Sequence, residues 1–326
     1  MNPSAPEPRA VVYSSPFIPP EWIAAHGWTP SRRRPAAAPE AGSEGVCRYA
    51  AGFAALAGPD IRAMVFATTC DPMRRGVEIG MDERIPRFLF HVPATWQAPA
   101  AHALYREELK RLGRFLERLG GRTPAPAELS EQMDRFEAGR ETLLGRREFR
   151  TSRDHAEEMD RFHATGEVPA AAPASSRPPA AIPLMLLGSP LRADDLRLLD
   201  LLDRAGGRVA VDATESGEGE WPRRFARRRM KEEAFDELAD AYFGHIPAIF
   251  RRPNSRFFEW LDAARRHTPV KGIVFAAHPW CDLWRAELPR IRAACARPVL
   301  SLGLAGEGSA EGAWTTRIQA FLEMLA

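Results

Sequence analysis

The C-terminal half of the chain alternates short apolar runs with segments whose leucines fall at helical spacing. Ile182–Leu187 is an apolar run ended by Gly188-Ser189-Pro190, and Leu196, Leu199 and Leu202 then share one helical face up to Gly206-Gly207. Val209–Val211, Lys271–Ala277 and Pro298–Leu302 are further strand-like runs. Helical patterns cover Arg229 to Tyr242, a stretch opened by Asn254-Ser255, Leu283–Ala296 and Thr316–Leu325. Short, wholly apolar strands separated by helices predict a parallel, doubly wound sheet covered on both faces.

The N-terminal half repeats the theme less regularly. Val11–Ser14, Ala63–Ala67 and Phe88–His91 read as strands. Leu112, Phe115, Leu116 and Leu119 form an i, i+3, i+4, i+7 helical stripe that stops at Gly120-Gly121. Two charged helices are expected over Ala127–Phe149 and Asp154–Ala164. Between the halves, Glu167 to Ala180 carries four prolines among small residues and continues neither helix nor central strand. The expectation is an α/β protein of two doubly wound parallel-sheet lobes, 1–166 and 181–326, joined by a linker at 167–180. A length of 326 residues suits two domains.

The lobes also resemble each other. Met64-Val65-Phe66-Ala67-Thr68-Thr69-Cys70-Asp71 matches Ile273-Val274-Phe275-Ala276-Ala277-His278-Pro279-Trp280-Cys281-Asp282, with two extra residues assigned to the second loop. Each copy is a strand running into a Cys-Asp loop with a helix behind it. In open α/β sheets, ligands collect beyond the carboxyl ends of the strands. Both cysteines are expected there.

Charge adds an exclusion. With 45 Lys and Arg against 43 Asp and Glu, the net charge is +2, too small to steer the molecule to nucleic acid or an anionic membrane. No apolar run approaches the ~18 residues of a membrane span, and the first residues lack a signal-peptide layout. A soluble cytoplasmic protein is expected.

The four cysteines, Cys47, Cys70, Cys281 and Cys295, include no CxxC pair and make no disulfide scaffold. Packing, nucleophilic catalysis and metal ligation all remain open for them. A nucleophile needs one cysteine and a base rather than a matched pair. Structural zinc favours closely spaced ligand pairs, of which His278-x-x-Cys281 is the one example. Thiolates drawn from distant segments suit an iron–sulfur cluster better. Cys47 opens the helix before the Ala63–Ala67 strand and is a candidate third ligand; Cys295, late in a helix, reads as core.

Here the chain resembles the family of 2-hydroxyacyl-CoA dehydratase and benzoyl-CoA reductase subunits. The resemblance rests on Pro20-Glu21 with Ala25-His26-Gly27 and Pro30-Ser31-Arg32, on Cys47 followed by Cys70-Asp71 and Pro93, and on Leu187-Gly188-Ser189-Pro190. Cys281-Asp282 and the terminal Thr316-Arg317-Ile318-Gln319-Ala320-Phe321-Leu322-Glu323 complete it. The resemblance implies that Cys47, Cys70 and Cys281 bind a 4Fe-4S cluster between the lobes, with one iron free of protein thiolate. It further implies an acyl-CoA thioester substrate and one-electron reduction by a separate ATP-hydrolysing iron–sulfur activator. Loss of water then follows through a ketyl radical anion. A homologous second subunit, or a second copy of the chain, is the expected partner. The absence of a GxxxxGK[ST] phosphate loop agrees with a separate ATPase, and the Gly303…Gly306-Glu307-Gly308 stretch is too loose for a nucleotide fingerprint. Within the same family a benzoyl-CoA reductase-type or double-cubane reductase subunit is the alternative; outside catalysis, an electron-transfer subunit is.

Ser14, Ser15 and Glu21 are the candidate catalytic residues, able to hydrogen-bond a substrate oxygen or relay a proton, although helix capping explains such residues too. His278 and Trp280 either shield the site or pack the loop. Asp71 and Asp282 are expected to cap the helices behind their cysteines. Arg223, Arg224, Arg227, Arg228, Arg229 and Lys231 form a basic patch that reads as a solvated helix face, or as a dock for coenzyme A phosphates.

Overall fold

The computed structural model describes residues 9–36, 45–79, 84–170, 181–304 and 310–326. Most of the expected linker, from 171 to 180, and the glycine-rich 305–309 lie outside the described residues. The first sheet contains β1 (Ala10–Tyr13), β2 (Thr29–Ser31), β3 (Ile61–Ala67) and β4 (Arg87–Phe90), all parallel, in the order β2-β1-β3-β4. Its crossovers carry α1 (Pro20–Ala25), α2 (Arg48–Ala54) and α3 (Asp71–Ile79), followed by α4 (Pro99–Arg118), α5 (Pro126–Arg146) and α6 (Ser152–Thr165).

The second sheet contains β5 (Ile182–Gly188), β6 (Gly207–Thr214), β7 (Gly272–Ala277) and β8 (Val299–Gly303), again all parallel, in the order β6-β5-β7-β8. Its helices are α7 (Arg197–Arg204), α8 (Arg227–Glu232), α9 (Ala234–His245), α10 (Ser255–His267), α11 (Asp282–Ala294) and α12 (Ala310–Leu325). Every residue of β7 is buried, as a parallel strand flanked on both faces requires. Among the described residues, no helix is long and apolar enough to cross a membrane.

Two elements differ from the sequence reading. β2 carries Pro30, which argues against a central strand, but β2 lies at the sheet edge, where a missing N–H is tolerated. The helix expected from Arg229 to Tyr242 is two helices, because Glu233 leaves the helical region at φ −144° and ψ 51°.

That break lets the chain fold back. α8 and α9 follow the linker in sequence, yet they pack on α4 and α5. Leu238, Tyr242, Phe243 and Phe250 join Phe17, Ile23, Leu109 and Leu112 in one core beside the first sheet. Arg251 is buried in the same layer, its guanidinium against the rings of Phe17 and Phe243 and its N–H groups donating to the carbonyls of Pro93 and Phe243. α6 crosses in the other direction and packs on α7 and β6. The two sheets are thereby laced together.

Gly188, at the end of β5, has φ +137°, and a Cβ there would lie 1.8 Å from the carbonyl oxygen of Ala276 on β7. Gly188→Ala should therefore destabilise the fold by about 3 kcal/mol or more, through backbone strain and a clash that no rotamer relieves. Gly303→Ala, where an added Cβ meets no atom of the described residues within 4 Å, should stay within about 0.5 kcal/mol of the parent. Thermal unfolding of both variants beside the parent checks this, and equal melting temperatures would contradict it.

Candidate functional site

Both sheets change direction at the same place in their strand order, between β1 and β3 and between β5 and β7. Such switch points leave a crevice at the carboxyl ends of the strands. A serine closes each one. Ser14 donates its N–H to the carbonyl of Val65, and its Oγ accepts from the N–H of Ala67 at 3.1 Å. Ser189 repeats both bonds, to the carbonyl of Ala276 and from the N–H of His278 at 3.1 Å.

These matched clasps correct the internal alignment. Tyr13 pairs with Val65, and Gly188 pairs with Ala276. From Val65 to Cys70 is 70 − 65 = 5 residues, and from Ala276 to Cys281 is 281 − 276 = 5. The second loop holds no extra residues; matching the strands by apolar identity slips them by two. A two-residue slip returns each side chain to the same face of the sheet, so the hydrophobic pattern conceals it.

The two switch points open onto one cavity of about 370 Å³, lined by Ser14, Thr69, Cys70, Pro190, Trp280 and Cys281. Cys47 enters the same cavity from the N-cap position of α2, where its Sγ accepts from the N–H of Ala50 at 3.4 Å. Three cysteines from three distant segments thus line one space. Burial pushes all three thiols above their ordinary pKa, and the charge acting most strongly on each is that of Glu215. No cation counts among the main influences on any of them. Among the described residues, no group of three or more His, Cys, Asp or Glu is arranged to hold a metal ion.

The remaining sequence candidates divide. Ser14 lines the cavity, whereas Ser15 lines a smaller chamber behind it and accepts from the N–H of Phe17 at 3.3 Å. Glu21 does not line the cavity. It is fully buried, with Oε1 accepting from Arg140 at 2.9 Å and Oε2 from the Tyr242 hydroxyl at 2.7 Å. Cys295 is a core residue packed with Ile291 and Trp284. The His278 ring turns inward, toward the carbonyls of Pro190 and Leu304 and the carboxylate of Asp195, so it forms no ligand pair with Cys281. Trp280 stays 59% exposed on the cavity wall with φ +64°, a conformation costly for a residue this large.

Asp71 and Asp282 are the first residues of α3 and α11, favourable to the helix dipoles but not N-caps; Cys281 itself holds the cap position of α11. The basic patch is largely neutralised within the chain. Arg223, Arg227 and Arg229 pair with Glu237, Glu137 and Asp240, Arg224 with Glu141, and Arg228 with Glu232. It is a helix face tied to α5 and α9.

Two acids escaped the sequence reading. Glu215 lines the cavity just past β6, its Oε1 accepting from the Trp284 indole at 2.9 Å, and burial raises its pKa. Glu220, five residues on, lies behind it. The signal was present as polar Glu-Ser-Gly after a strand, but no Cys or His marked it.

No curated protein matches the chain at a significant level. A family model described as 2-hydroxyglutaryl-CoA dehydratase, D-component, matches residues 15–325. That match runs from Ser15, one residue past the first switch-point serine, to the last helix and includes all three cavity cysteines, and the chain belongs to the 2-hydroxyglutaryl-CoA dehydratase D-component family.

Proposed function

We propose that this chain is the iron–sulfur subunit of a 2-hydroxyacyl-CoA dehydratase-type enzyme, with Cys47, Cys70 and Cys281 holding a 4Fe-4S cluster. The observation that carries the reading is the donor set. Three desolvated thiols meet at the switch points of two matching sheets, and no cation is among the main influences on any of them, although Arg252 also lines the cavity. A soft, sulfur-only set favours iron–sulfur or copper chemistry over magnesium or calcium. A four-iron cube also accepts its thiolates at separate corners, wider apart than the ligands of a single ion. Metal binding then takes the place of the thiol protons. When bound, the cluster supplies one low-potential electron to an acyl-CoA thioester.

The chain's own residues prepare the space. Ser14 spends its lone pairs on the Ala67 N–H and keeps its hydroxyl proton to donate toward a substrate oxygen in the cavity. Trp280 forms part of the wall and keeps bulk water from the thiols. Ser15, held in the rear chamber, supports the loop rather than the substrate, and Glu21 holds α1 to α5 and α9 through Arg140 and Tyr242. A homologous subunit or a second copy of this chain, with an ATP-dependent activator, completes the proposed system in the cytoplasm.

Anaerobic reconstitution with iron and sulfide tests the ligand set. Cys47→Ala, Cys70→Ala and Cys281→Ala should each lose the brown chromophore, while Cys295→Ala should keep it. About four irons per chain fits one cubane and about eight a double cubane; a parent protein that takes up none rejects the reading.

Ser14→Ala should retain the iron and slow turnover by roughly 10²-fold, the loss of one preorganised donor. Glu21→Gln should act differently, lowering stability by about 3 kcal/mol because it leaves the Arg140 charge buried against a neutral partner. Denaturant unfolding beside steady-state kinetics separates the two; a stable but inactive Glu21→Gln would return Glu21 to the substrate.

A further inference from the structure

The wall of the cysteine cavity carries one basic side chain among the described residues, Arg252. It stands on the loop between α9 and α10, and that loop is pinned to the segment after β4 at three successive points. The Arg251 guanidinium donates to the carbonyl of Pro93 at 3.1 Å, the Arg252 N–H to the carbonyl of Ala94 at 2.9 Å, and the Trp96 indole to the carbonyl of Pro253 at 2.7 Å. Thr95 and Arg252 pair there as one isolated parallel bridge. From the first turn of α10, Arg256 places its guanidinium carbon 3.7 Å from the centre of the Trp96 ring and closes the join. The backbone that carries Arg252 is therefore held on both sides.

Its guanidinium is held as well, by one nitrogen. Nη1 donates to the carbonyls of Ile249 and Arg251, at 2.9 and 2.8 Å, and so spends both of its hydrogens. Among the described residues, no acceptor meets Nε or Nη2, and no carboxylate forms an ion pair with Arg252. Neighbouring arginines differ: Arg265 and Arg266 share Asp262, and Arg290 donates to Asn254 and pairs with Glu287. The edge left over on Arg252, Nε–H beside Nη2–H, offers two parallel donors. That is the fork a carboxylate fills with both of its oxygens.

The rest of the wall suits the body of a short acyl chain. Phe250, Leu283 and Met73 supply apolar surface, whereas Glu215, Asp71 and Asp282 are acidic, so an entering anion finds its attractive contact at Arg252. The phosphates of coenzyme A stand at the far end of the long pantetheine arm. A carboxylate on the acyl chain is only a few bonds from the thioester that must reach the thiols. A cation sharing one cavity of about 370 Å³ with those thiols is matched to the nearer group.

We propose that Arg252 is the specificity-determining residue of this cavity, its free edge pairing with a carboxylate carried by the acyl chain. The inference rests on the dehydratase reading for the thioester itself and adds the chemistry of the chain behind it: the thioester of a short dicarboxylic acid is held in preference to one that ends in a methyl group. Pairing at the free edge leaves the Nη1 bonds intact, so the fork is ready before the substrate arrives. Arg252 orients the substrate and takes no part in electron or proton transfer.

Equilibrium binding to the anaerobically reconstituted protein tests this without turnover. Glutaryl-CoA and pentanoyl-CoA are the probes, equal in chain length and different only in the terminal group. The parent should bind glutaryl-CoA roughly 10-fold more tightly, as one charge-assisted pair at a partly solvated site allows. Arg252→Gln should bring the two affinities together by weakening glutaryl-CoA alone, with iron content and pentanoyl-CoA binding unchanged. Arg252→Lys should restore part of the preference. A loop merely loosened by the substitution would weaken both probes equally; that result overturns the proposal, as does a parent that binds the two alike. The glutaryl and pentanoyl thioesters of pantetheine, which carry no phosphate, should show the same preference and the same loss in Arg252→Gln. An effect confined to the coenzyme A forms would assign Arg252 to a phosphate and reject the acyl carboxylate. An iron-loaded parent that binds no thioester also rejects this role while the cluster reading stands. A parent that loads no iron counts instead against the dehydratase reading, and the probe preference read on the same sample still decides Arg252.

Discussion

One hydrogen bond, made twice, organises this molecule. The hydroxyl of a serine just past one central strand accepts an N–H from the end of its neighbour, Ser14 from Ala67 and Ser189 from His278. A parallel pair must splay where its loops depart in opposite directions, and the ladder offers no partner for the next N–H. The serine supplies that partner. It fixes the distance between the departing loops, and in each sheet a cysteine follows five residues later in the same register. The placement of Cys70 and Cys281 is thus inherited from backbone pairing rather than from contacts of their own.

Much of this was legible in the sequence, and the exceptions have physical reasons. Seven of the strands announced themselves as apolar runs, because parallel strands are buried on both faces and cannot alternate. β2 did not, since Pro30 belongs to an edge. The repeat of the two Cys-Asp loops was visible, but its register was not, because the pleat hides a shift of two. The cysteines drew attention by residue type, whereas Glu215 and Glu220 are ordinary acids until the fold buries them. Glu21 shows the converse. A carboxylate near the first strand end looks catalytic in sequence, yet Arg140 and Tyr242 satisfy it from α5 and α9, elements far along the chain.

The interior handles charge in two contrasting ways. Along α5, α8 and α9 arginines and acids are interleaved, and Arg227 and Arg229 pair with Glu137, Glu237 and Asp240; such pairs contribute little net stability where they are exposed but keep the helices aligned. Around the cysteine cavity the balance is withheld. Thiols and carboxyls are desolvated together, and burial is the largest cause raising the pKa of each. That difference separates scaffold from site more clearly than burial does.

The return of α8 and α9 to the first sheet bears on how the chain acquires its structure during synthesis. A nascent chain emerging only as far as the linker would leave Phe17, Leu109, Leu112 and their neighbours without the cover that Leu238, Phe243 and Phe250 provide. The N-terminal sheet must therefore wait on the ribosome, apolar face exposed, until residues beyond 250 have cleared the exit tunnel. Domains usually fold as units in the order they are made; here the first unit is finished by the second, and chaperone demand should fall in that interval.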